Sequence, residues 1–302
     1  QDLKNWEYLH PFVEGDRFTQ LGDDGACPYF WPIGDRYILL FYSHMTGGQA
    51  FLGDYDKKRD KFVVTSHHEF NFGAWAPGGV HAPSATPDEN SGVNVIFNMN
   101  PAKPTQGWDQ IMSLPRKLTL IGQDELGIEP VGDIESLREE HQHFDDISLP
   151  ANQEIVFEEI NGKSMEIMAE IDIDNNAMVE MKVLRSPNKE EFTRIIFIND
   201  KGFINRDNKT NVITIDSSYS STLSEVKYRP QETASVGIQP EESLKLRVFV
   251  DKSVVEVFVN DRQCVAMRVY PGREDSTGVS LRAQSKKAVL KTLDAWQLKS
   301  IY

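Results

Sequence analysis

The sequence predicts an all-β protein made of two parts. Short apolar or alternating runs recur between Gly, Pro, Asn and Asp residues along most of the chain, and helical periodicity is scarce. The runs of the first half are rich in aromatic residues, whereas those of the second half are longer and alternate cleanly. We therefore expect about two blades of a β-propeller, followed by a C-terminal β-sandwich.

The first part, residues 1–132, contains two successive groups of four predicted strands. Each group opens on a strand with aromatic or histidine side chains, and Gly, Pro or Asp residues separate the strands. Four-stranded units repeated in this way are typical of propeller blades. The predicted strands are 27–33, 36–43, 50–55, 61–65, 80–86, 93–99, 110–120 and 126–131.

Residues 133–150 break this pattern and are predicted to be a linker. The stretch is charged, ends at Pro150 and has room for one helical turn near its start. His141 and His143 lie two residues apart, which raises the question of a metal site. We interpret them as solvated linker residues and expect no metal, because no Cys or third His lies nearby at ligand spacing.

The second part, residues 151–302, is predicted to be an antiparallel β-sandwich. The runs 244–250 and 253–260 alternate apolar and polar residues around a turn, which indicates a hairpin with one buried face. Asp251 and Glu256 form a carboxylate pair in this hairpin, and we interpret both as structural. The predicted strands are 153–160, 164–173, 177–186, 193–199, 211–216, 244–250, 253–260, 263–270, 278–283 and 288–298.

Composition limits the partners. The 302 residues carry a net charge of −14, which disfavours binding to nucleic acid or to an anionic membrane surface. No apolar run approaches the ~18–20 residues that span a bilayer. Cys27 and Cys264 are too few for a disulfide scaffold and are expected to be small buried side chains, although a single bridge between them stays open.

The N-terminus starts at Gln1, without an initiator Met, a charged region or an apolar region of a signal peptide. We expect either that a leader was removed or that the chain starts inside a longer protein. The localisation stays open, with a secreted or periplasmic protein slightly favoured.

Several separated motifs resemble glycoside hydrolase family 32, the family of invertases, levanases and inulinases. The motifs occur in the family's order and cover nearly the whole chain. They are WDQIMSLPRKLTL (108–120), GIEPVGDIESLR (127–138), LRVFVDKSVVEVFVNDRQCVAMRVYP (246–271) and DAWQLKSI (294–301).

The resemblance implies a five-bladed propeller followed by a sandwich, and a retaining β-fructosidase that cleaves fructosyl linkages in sucrose or fructans. One carboxylate attacks the anomeric carbon and a second protonates the leaving oxygen, with the two carboxyl groups only ~5–5.5 Å apart. This chemistry needs no cofactor, and the implied partner is a fructose-containing saccharide.

The sequence also departs from the family. The N-terminal W-M-N-D-P-N-G motif with the nucleophile is absent, as is the sugar-binding R-D-P motif. The opening DLKNWEYLHPF (2–12) resembles the end of a third blade. We therefore expect that an N-terminal fragment or a second subunit completes the propeller.

The family's general acid is a Glu immediately before Cys-Pro, and Ala26 stands at that position. Alternation along a strand would let Asp24 face the same way as residue 26. Asp24 is therefore the candidate general acid, with Asp23 and Glu14 behind it. The alternative is that Asp23 and Asp24 are turn residues, which the flanking glycines favour.

Four further residues are candidates for sugar binding. Asn71 stands in the family's D-x-G segment, where it keeps the hydrogen-bonding shape without the charge. His81 heads the strand that matches the family's Tyr-Ala-Pro strand. Trp31 and Trp75 have rings that suit stacking on a sugar face, although core packing explains them as well.

Three functions therefore compete at the level of sequence, and a related propeller enzyme acting on another furanoside or pyranoside stays open because Ala26 and Asn71 both depart from the family at the sugar site. The favoured one is a β-fructosidase-like glycosidase of which this chain is a C-terminal portion, incomplete or inactive alone. The alternatives are a non-catalytic carbohydrate-binding protein and a scaffold protein derived from the same fold.

Overall fold

A computed structural model describes residues 3–73, 79–174, 177–199, 211–239 and 241–301 of the chain. The described chain folds into four β-sheets, with one short 3-10 helix at Glu135–Leu137. The prediction of an all-β protein is confirmed. No helix within these ranges is long and apolar enough to cross a membrane.

The first sheet has five strands in the order β1-β5-β4-β3-β2. The strand β1 runs parallel to β5, and the other neighbours in this sheet are antiparallel. The order places β2 at one edge and β1 at the other. The strands are β1 (Val13–Glu14), β2 (Ala26–Ile33), β3 (Arg36–Ser43), β4 (Gly47–Asp56) and β5 (Lys61–Glu69).

The second sheet has the order β10-β9-β7-β6, with the short β8 paired to β7. The predicted strand 110–120 is divided between β8 and β9, because Pro115 has no N–H for a ladder and the amide of Leu114 donates to Glu256 instead. The strands are β6 (Val80–Pro87), β7 (Val93–Met99), β8 (Ile111–Met112), β9 (Arg116–Leu120) and β10 (Leu126–Pro130).

Two six-stranded antiparallel sheets form the second half, in the orders β11-β22-β13-β18-β19-β20 and β12-β21-β14-β15-β16-β17. Their strands are β11 (Arg138–Leu149), β12 (Glu154–Asn161), β13 (Ser164–Ile173), β14 (Met178–Arg185), β15 (Thr193–Ile198), β16 (Asn211–Asp216), β17 (Glu232–Val236), β18 (Leu244–Asp251), β19 (Val254–Val259), β20 (Gln263–Arg268), β21 (Gly278–Gln284) and β22 (Ala288–Leu298).

These two sheets enclose one apolar core. Ile167 of β13 and Val248 of β18 contribute from one sheet, and Met181 of β14 and Ile213 of β16 contribute from the other. Each of the four is fully buried. The alternation of apolar side chains that predicts strands thus fills the space between two packed sheets.

The segment 133–150 differs from the expected linker. Most of it is strand β11, which pairs along its length with β22 at the edge of a sheet. Its charged side chains suit an edge strand with one face in water, and Leu149 alone of this strand is fully buried. The charged residues of β11 interrupt the apolar alternation that predicts a strand, so the sequence pattern does not indicate it.

A second apolar core joins the two halves of the molecule. It combines Leu40, Phe97 and Leu118 of the first half with Phe249 and Phe258 of the β18–β19 hairpin. The hairpin is therefore buried on both faces, not on the single face predicted.

An ion pair lies in this second core. Arg116 Nη2 donates to Glu256 Oε2 at 2.9 Å, and both side chains are buried. The amide of Leu114 donates to the other carboxylate oxygen at 2.6 Å. Glu256 thus has a facing partner and a structural role, as the sequence indicates.

The cysteines are both free, and they differ in exposure. Cys264 is buried, as expected, but Cys27 is exposed. The position of Cys27 follows from a left-handed backbone conformation, with φ of +51°, at a bulge near the start of β2. The structure forms no bridge between the two.

Candidate functional site

The edge strands β2 and β6 lie beside each other and share an irregularity near their starts. The register of β2 shifts between Ala26 and Tyr29, and the register of β6 shifts between His81 and Ser84. Both bulges contain a proline, which cannot donate to a ladder. Bulges of this kind turn side chains out of the regular pleat, so the starts of these strands are where a site is expected.

Asp24 lies in a turn before β2 and not on the strand. The strand begins at Ala26, and Gly22 and Gly25 both have positive φ, of +99° and +59°. The alternation argument for Asp24 therefore does not apply. Its carboxylate accepts a hydrogen bond from the amide of His44 at 3.0 Å, and His44 Nδ1 lies 2.6 Å from its second oxygen.

The hydrogen bonds from the His44 amide and ring hold the pKa of Asp24 below its usual range. A general acid must keep its proton until the leaving group needs it, which requires a raised pKa. In the described structure Asp24 is therefore an ionised carboxylate that orients the imidazole of His44. Sequence reasoning missed His44, because a histidine just beyond a strand end carries no signal of its own.

Tyr42 connects this pair to His81. Its ring centroid lies 4.7 Å from that of His44 and 5.3 Å from that of His81. Burial, with the charges of Asp24 and Cys27, raises the pKa of Tyr42. We call Asp24, Tyr42, His44 and His81 the edge cluster.

His81 is buried and its Nδ1 lies 3.0 Å from the carbonyl oxygen of Asn98. Burial lowers the pKa of His81, so the ring is neutral near pH 7. A carbonyl only accepts, so Nδ1 carries the proton and Nε2 is an acceptor. The structure thus joins two of the predicted site residues, Asp24 and His81, through two residues that were not predicted.

Asn71 is buried in a loop after β5. Its amide nitrogen donates to the carbonyl of Thr46 at 3.1 Å. A Cβ added at Gly79 would lie 1.5 Å from Asn71 Oδ1, and one at Gly47 would lie 2.7 Å from its Cβ. Two glycines therefore make room for Asn71, which is consistent with a packing role.

Trp31 is half-buried and packs against the core that joins the two halves. Its Nε1 is buried and has no hydrogen-bond partner among the residues described. These contacts favour core packing over stacking on a sugar. Trp75, the other tryptophan candidate, lies outside the described residues.

The two secondary candidates for the general acid, Asp23 and Glu14, have other partners. Asp23 accepts hydrogen bonds from the amide of Gln20 and the hydroxyl of Thr46. Glu14 pairs with Arg59 at 2.9 Å on β1, at the far edge of the sheet from β2. Four strand spacings of ~4.8 Å place Glu14 about 19 Å from β2, too far to share a site with Asp24.

Comparison with known proteins identifies the family. The model for the C-terminal region of glycosyl hydrolases family 32 matches residues 133–297, more than half of the chain. The chain therefore belongs to glycosyl hydrolase family 32, and the resemblance found in the sequence is confirmed.

Similar proteins include two curated bacterial relatives and a solved plant structure. A sucrose-6-phosphate hydrolase of Staphylococcus xylosus is 25% identical, over 96% of this chain and 57% of the relative. A levanase of Bacillus subtilis is 28% identical, over 100% of this chain and 46% of the relative. Fructan 1-exohydrolase IIa from Cichorium intybus matches with a TM-score of 0.80 at 16% identity, over 91% of this chain and 62% of that one.

The chain spans about half the length of the curated relatives it matches. The solved structure shares its fold with this chain. At 16% identity, the likeness shows the fold alone.

Proposed function

We propose that this chain is the C-terminal portion of a β-fructosidase that hydrolyses fructosyl linkages in sucrose or fructans. In this proposal the two five-stranded sheets are the last two blades of a five-bladed propeller, and the two six-stranded sheets are the sandwich that follows. The observation that carries it is the family match, together with relatives named for sucrose-6-phosphate and levan hydrolysis that align along nearly the whole chain.

The edge cluster supports the position of the site. In a propeller the first strand of each blade lines the central channel, and β2 and β6 are the strands at the corresponding edges of their sheets. The proposal assigns the lone pair of His81 Nε2 to a sugar hydroxyl. The nucleophile comes from an N-terminal fragment or a second subunit that completes the propeller.

Asp24 remains our candidate acid on one condition. Its pKa is lowered in the described structure, and a second carboxylate ~5–5.5 Å away would raise it by like-charge repulsion. The approach of the nucleophile in the complete site supplies that charge. Asp24 then gives its proton to the leaving oxygen and regains one from the water that releases fructose, while His44 Nδ1, 2.6 Å from Asp24 Oδ2, orients the carboxyl group.

Fructose release from sucrose and from a fructo-oligosaccharide tests this assignment in the complete protein. Asp24→Asn is expected to lower kcat by ~10²–10⁴-fold, the usual contribution of general acid catalysis. Asp35→Asn is the matched control, because Asp35 is an exposed carboxylate at the other end of the β2–β3 hairpin. Equal activity of the two variants would remove Asp24 from the mechanism.

A carbohydrate-binding protein without catalysis is the second candidate. Ala26 at the acid position and the lowered pKa of Asp24 favour it. Calorimetric titration with fructo-oligosaccharides separates the two: heat of binding without fructose release supports the binding protein. Fructose release excludes it, and the absence of heat at millimolar ligand counts against it.

A further inference from the structure

Three potential metal ligands meet on the exposed face of the β11–β22 pair, far from the edge cluster in the sequence. His141 Nε2 and His143 Nδ1 each lie 2.7 Å from the same oxygen, Asp294 Oδ1. The ligand atoms of all three side chains lie within 4.8 Å of one another. The sequence hides this cluster, because Asp294 is 151 residues beyond His143.

The backbone explains the convergence. His143 is directly opposite Asp294 in the antiparallel ladder, so their side chains share a face of the sheet. The register shifts between Glu139 and Gln142, and Glu140 has a positive φ of +50°. This bulge turns His141 toward the same carboxylate, as bulges beside sites commonly do.

Neighbouring side chains hold both imidazole rings. His143 Nε2 lies 2.7 Å from Asp145 Oδ2, so its second nitrogen donates to a carboxylate. The ring of His141 stacks on Trp296, with centroids 4.8 Å apart and planes 5° from parallel. A histidine that ligates a metal almost always donates its other N–H to a carboxylate, a carbonyl or water, which fixes the ring and its tautomer. Asp145 is that partner for His143.

The cluster also has the charge that a cation needs. Asp294 presents its carboxylate to both imidazole rings, with Oδ1 2.7 Å from His141 Nε2 and from His143 Nδ1. Asp145 adds a second carboxylate, 2.7 Å from His143 Nε2.

We propose that His141 Nε2, His143 Nδ1 and Asp294 Oδ1 bind a zinc ion, with water in the fourth position. Two imidazoles and one carboxylate are a donor set that suits Zn²⁺, whereas Mg²⁺ and Ca²⁺ prefer oxygen ligands throughout. Ligand atoms ~2.0–2.1 Å from a tetrahedral zinc lie about 3.3 Å apart. The two 2.7 Å contacts therefore need to lengthen by only about 0.6 Å.

Zinc replaces the protons that the imidazole nitrogens now donate to Asp294. His143 keeps its proton on Nε2, toward Asp145, while Nδ1 becomes the ligand. Binding therefore releases protons to the buffer. The bound ion would link the edge strand β11 to β22. These two strands are the first and the last of the second half of the chain.

Calorimetric titration of the full chain with ZnCl₂ alone tests the site, and MgCl₂ is the comparison. We expect one Zn²⁺ per chain and at least ~10-fold weaker binding in His143→Gln and in Asp294→Asn. His10→Gln is the matched control, because His10 is a half-buried histidine whose ring contacts only its neighbour Pro11 among the contacts described. The control is expected to bind as the wild type does.

Asp145→Asn tests the carboxylate that supports the ligating ring of His143. Loss of a carboxylate behind a ligating histidine typically costs ~10–100-fold in metal affinity. Asp145 is exposed, so this variant is expected to fold normally. The proposal is wrong if the wild type does not bind Zn²⁺, if Mg²⁺ binds as tightly, or if the site variants and the control bind alike.

Discussion

At the scale of single residues, Glu191 accepts five hydrogen bonds among the described residues. It is fully buried and accepts from the amide and hydroxyl of Thr222, the amides of Gly272 and Arg273, and the hydroxyl of Ser276. Burial alone would raise the pKa of Glu191, but these hydrogen bonds lower it to about 2. Glu191 thus fastens three separate loops to one another.

The pKa of Glu191 gives a pH dependence with a definite sign. Because the folded value of about 2 lies below the ordinary 4.5, the stabilisation is complete above pH 4.5 and is lost as pH falls toward 2. The shift corresponds to about 3 kcal/mol in the free energy of unfolding. Urea denaturation at a series of pH values should show this loss in the wild type.

Glu191→Gln should remove that part of the pH dependence and lower stability at pH 7 by a similar amount. Glu158→Gln, at an exposed position of β12, is the control and should change stability by less than ~0.5 kcal/mol. An unchanged acid transition in Glu191→Gln would contradict the assignment.

Arg116 and Glu256 lead to a second prediction at this scale. Arg116 is fully buried, and its guanidinium lies 5.3 Å from the ring of Phe97 and 5.9 Å from that of Phe258. Glu256→Gln leaves this cation buried without its counter-charge, which typically costs ~3–5 kcal/mol. Chemical denaturation measures the cost.

Asp251→Asn serves as the control for Glu256→Gln. It removes a carboxylate from the same hairpin at the exposed last residue of β18, so a change below ~0.5 kcal/mol is expected. Equal effects of the two variants would show that the buried pair contributes little.

At the scale of elements, the first sheet depends on close contact between β4 and β5. The register shifts between Leu52 and Gly53, and a Cβ added at Gly53 would lie 2.1 Å from the carbonyl oxygen of Val63. Backbone atoms cannot move aside as a flexible side chain does. This sheet therefore requires glycine at the irregular position.

Gly53→Ala is expected to destabilise the protein by at least ~1–3 kcal/mol, the usual cost of overpacking. Thermal unfolding measures the effect. Gly237→Ala is the matched control, because an added Cβ there meets nothing within 4 Å. A small effect at Gly53 would mean that β4 and β5 separate easily.

Much of this element structure is predictable from sequence, and the exceptions have physical causes. The run 36–43 is apolar and aromatic, and it is strand β3 with the predicted bounds. The strand β11 was missed because charged side chains cover its exposed face, and β17 because it is short and polar. The bulges at Ala26 and His81 are also hidden, since their register depends on partners elsewhere in the chain.

The candidate site is less predictable for the same reason. His81 and Asp24 can be named from their places in motifs, but Tyr42 and His44 enter only when the hairpin folds. Asp294 joins His143 only through strand pairing. Strands can be predicted from local sequence patterns. The candidate sites cannot, because their residues come together only when strands distant in the sequence pair.

At the scale of the whole molecule, the two halves share the core that contains Phe97, Leu118, Phe249 and Phe258. Neither half can keep these side chains from water without the other. We therefore expect one cooperative transition in calorimetry, with equal calorimetric and van't Hoff enthalpies. Two resolved transitions in the wild type would contradict a shared core, and Glu256→Gln is the variant most expected to separate them.

Cys264 makes the separation of the two halves measurable without an engineered labelling site. Its thiol is buried in the shared core, and burial raises its pKa to about 12, so it is neither accessible nor a thiolate in the folded chain. A thiol reagent should modify exposed Cys27 at once and Cys264 only during openings of the interface. The rate of the slow phase of labelling, followed by mass spectrometry, then reports how often the interface opens. Glu256→Gln should increase that rate.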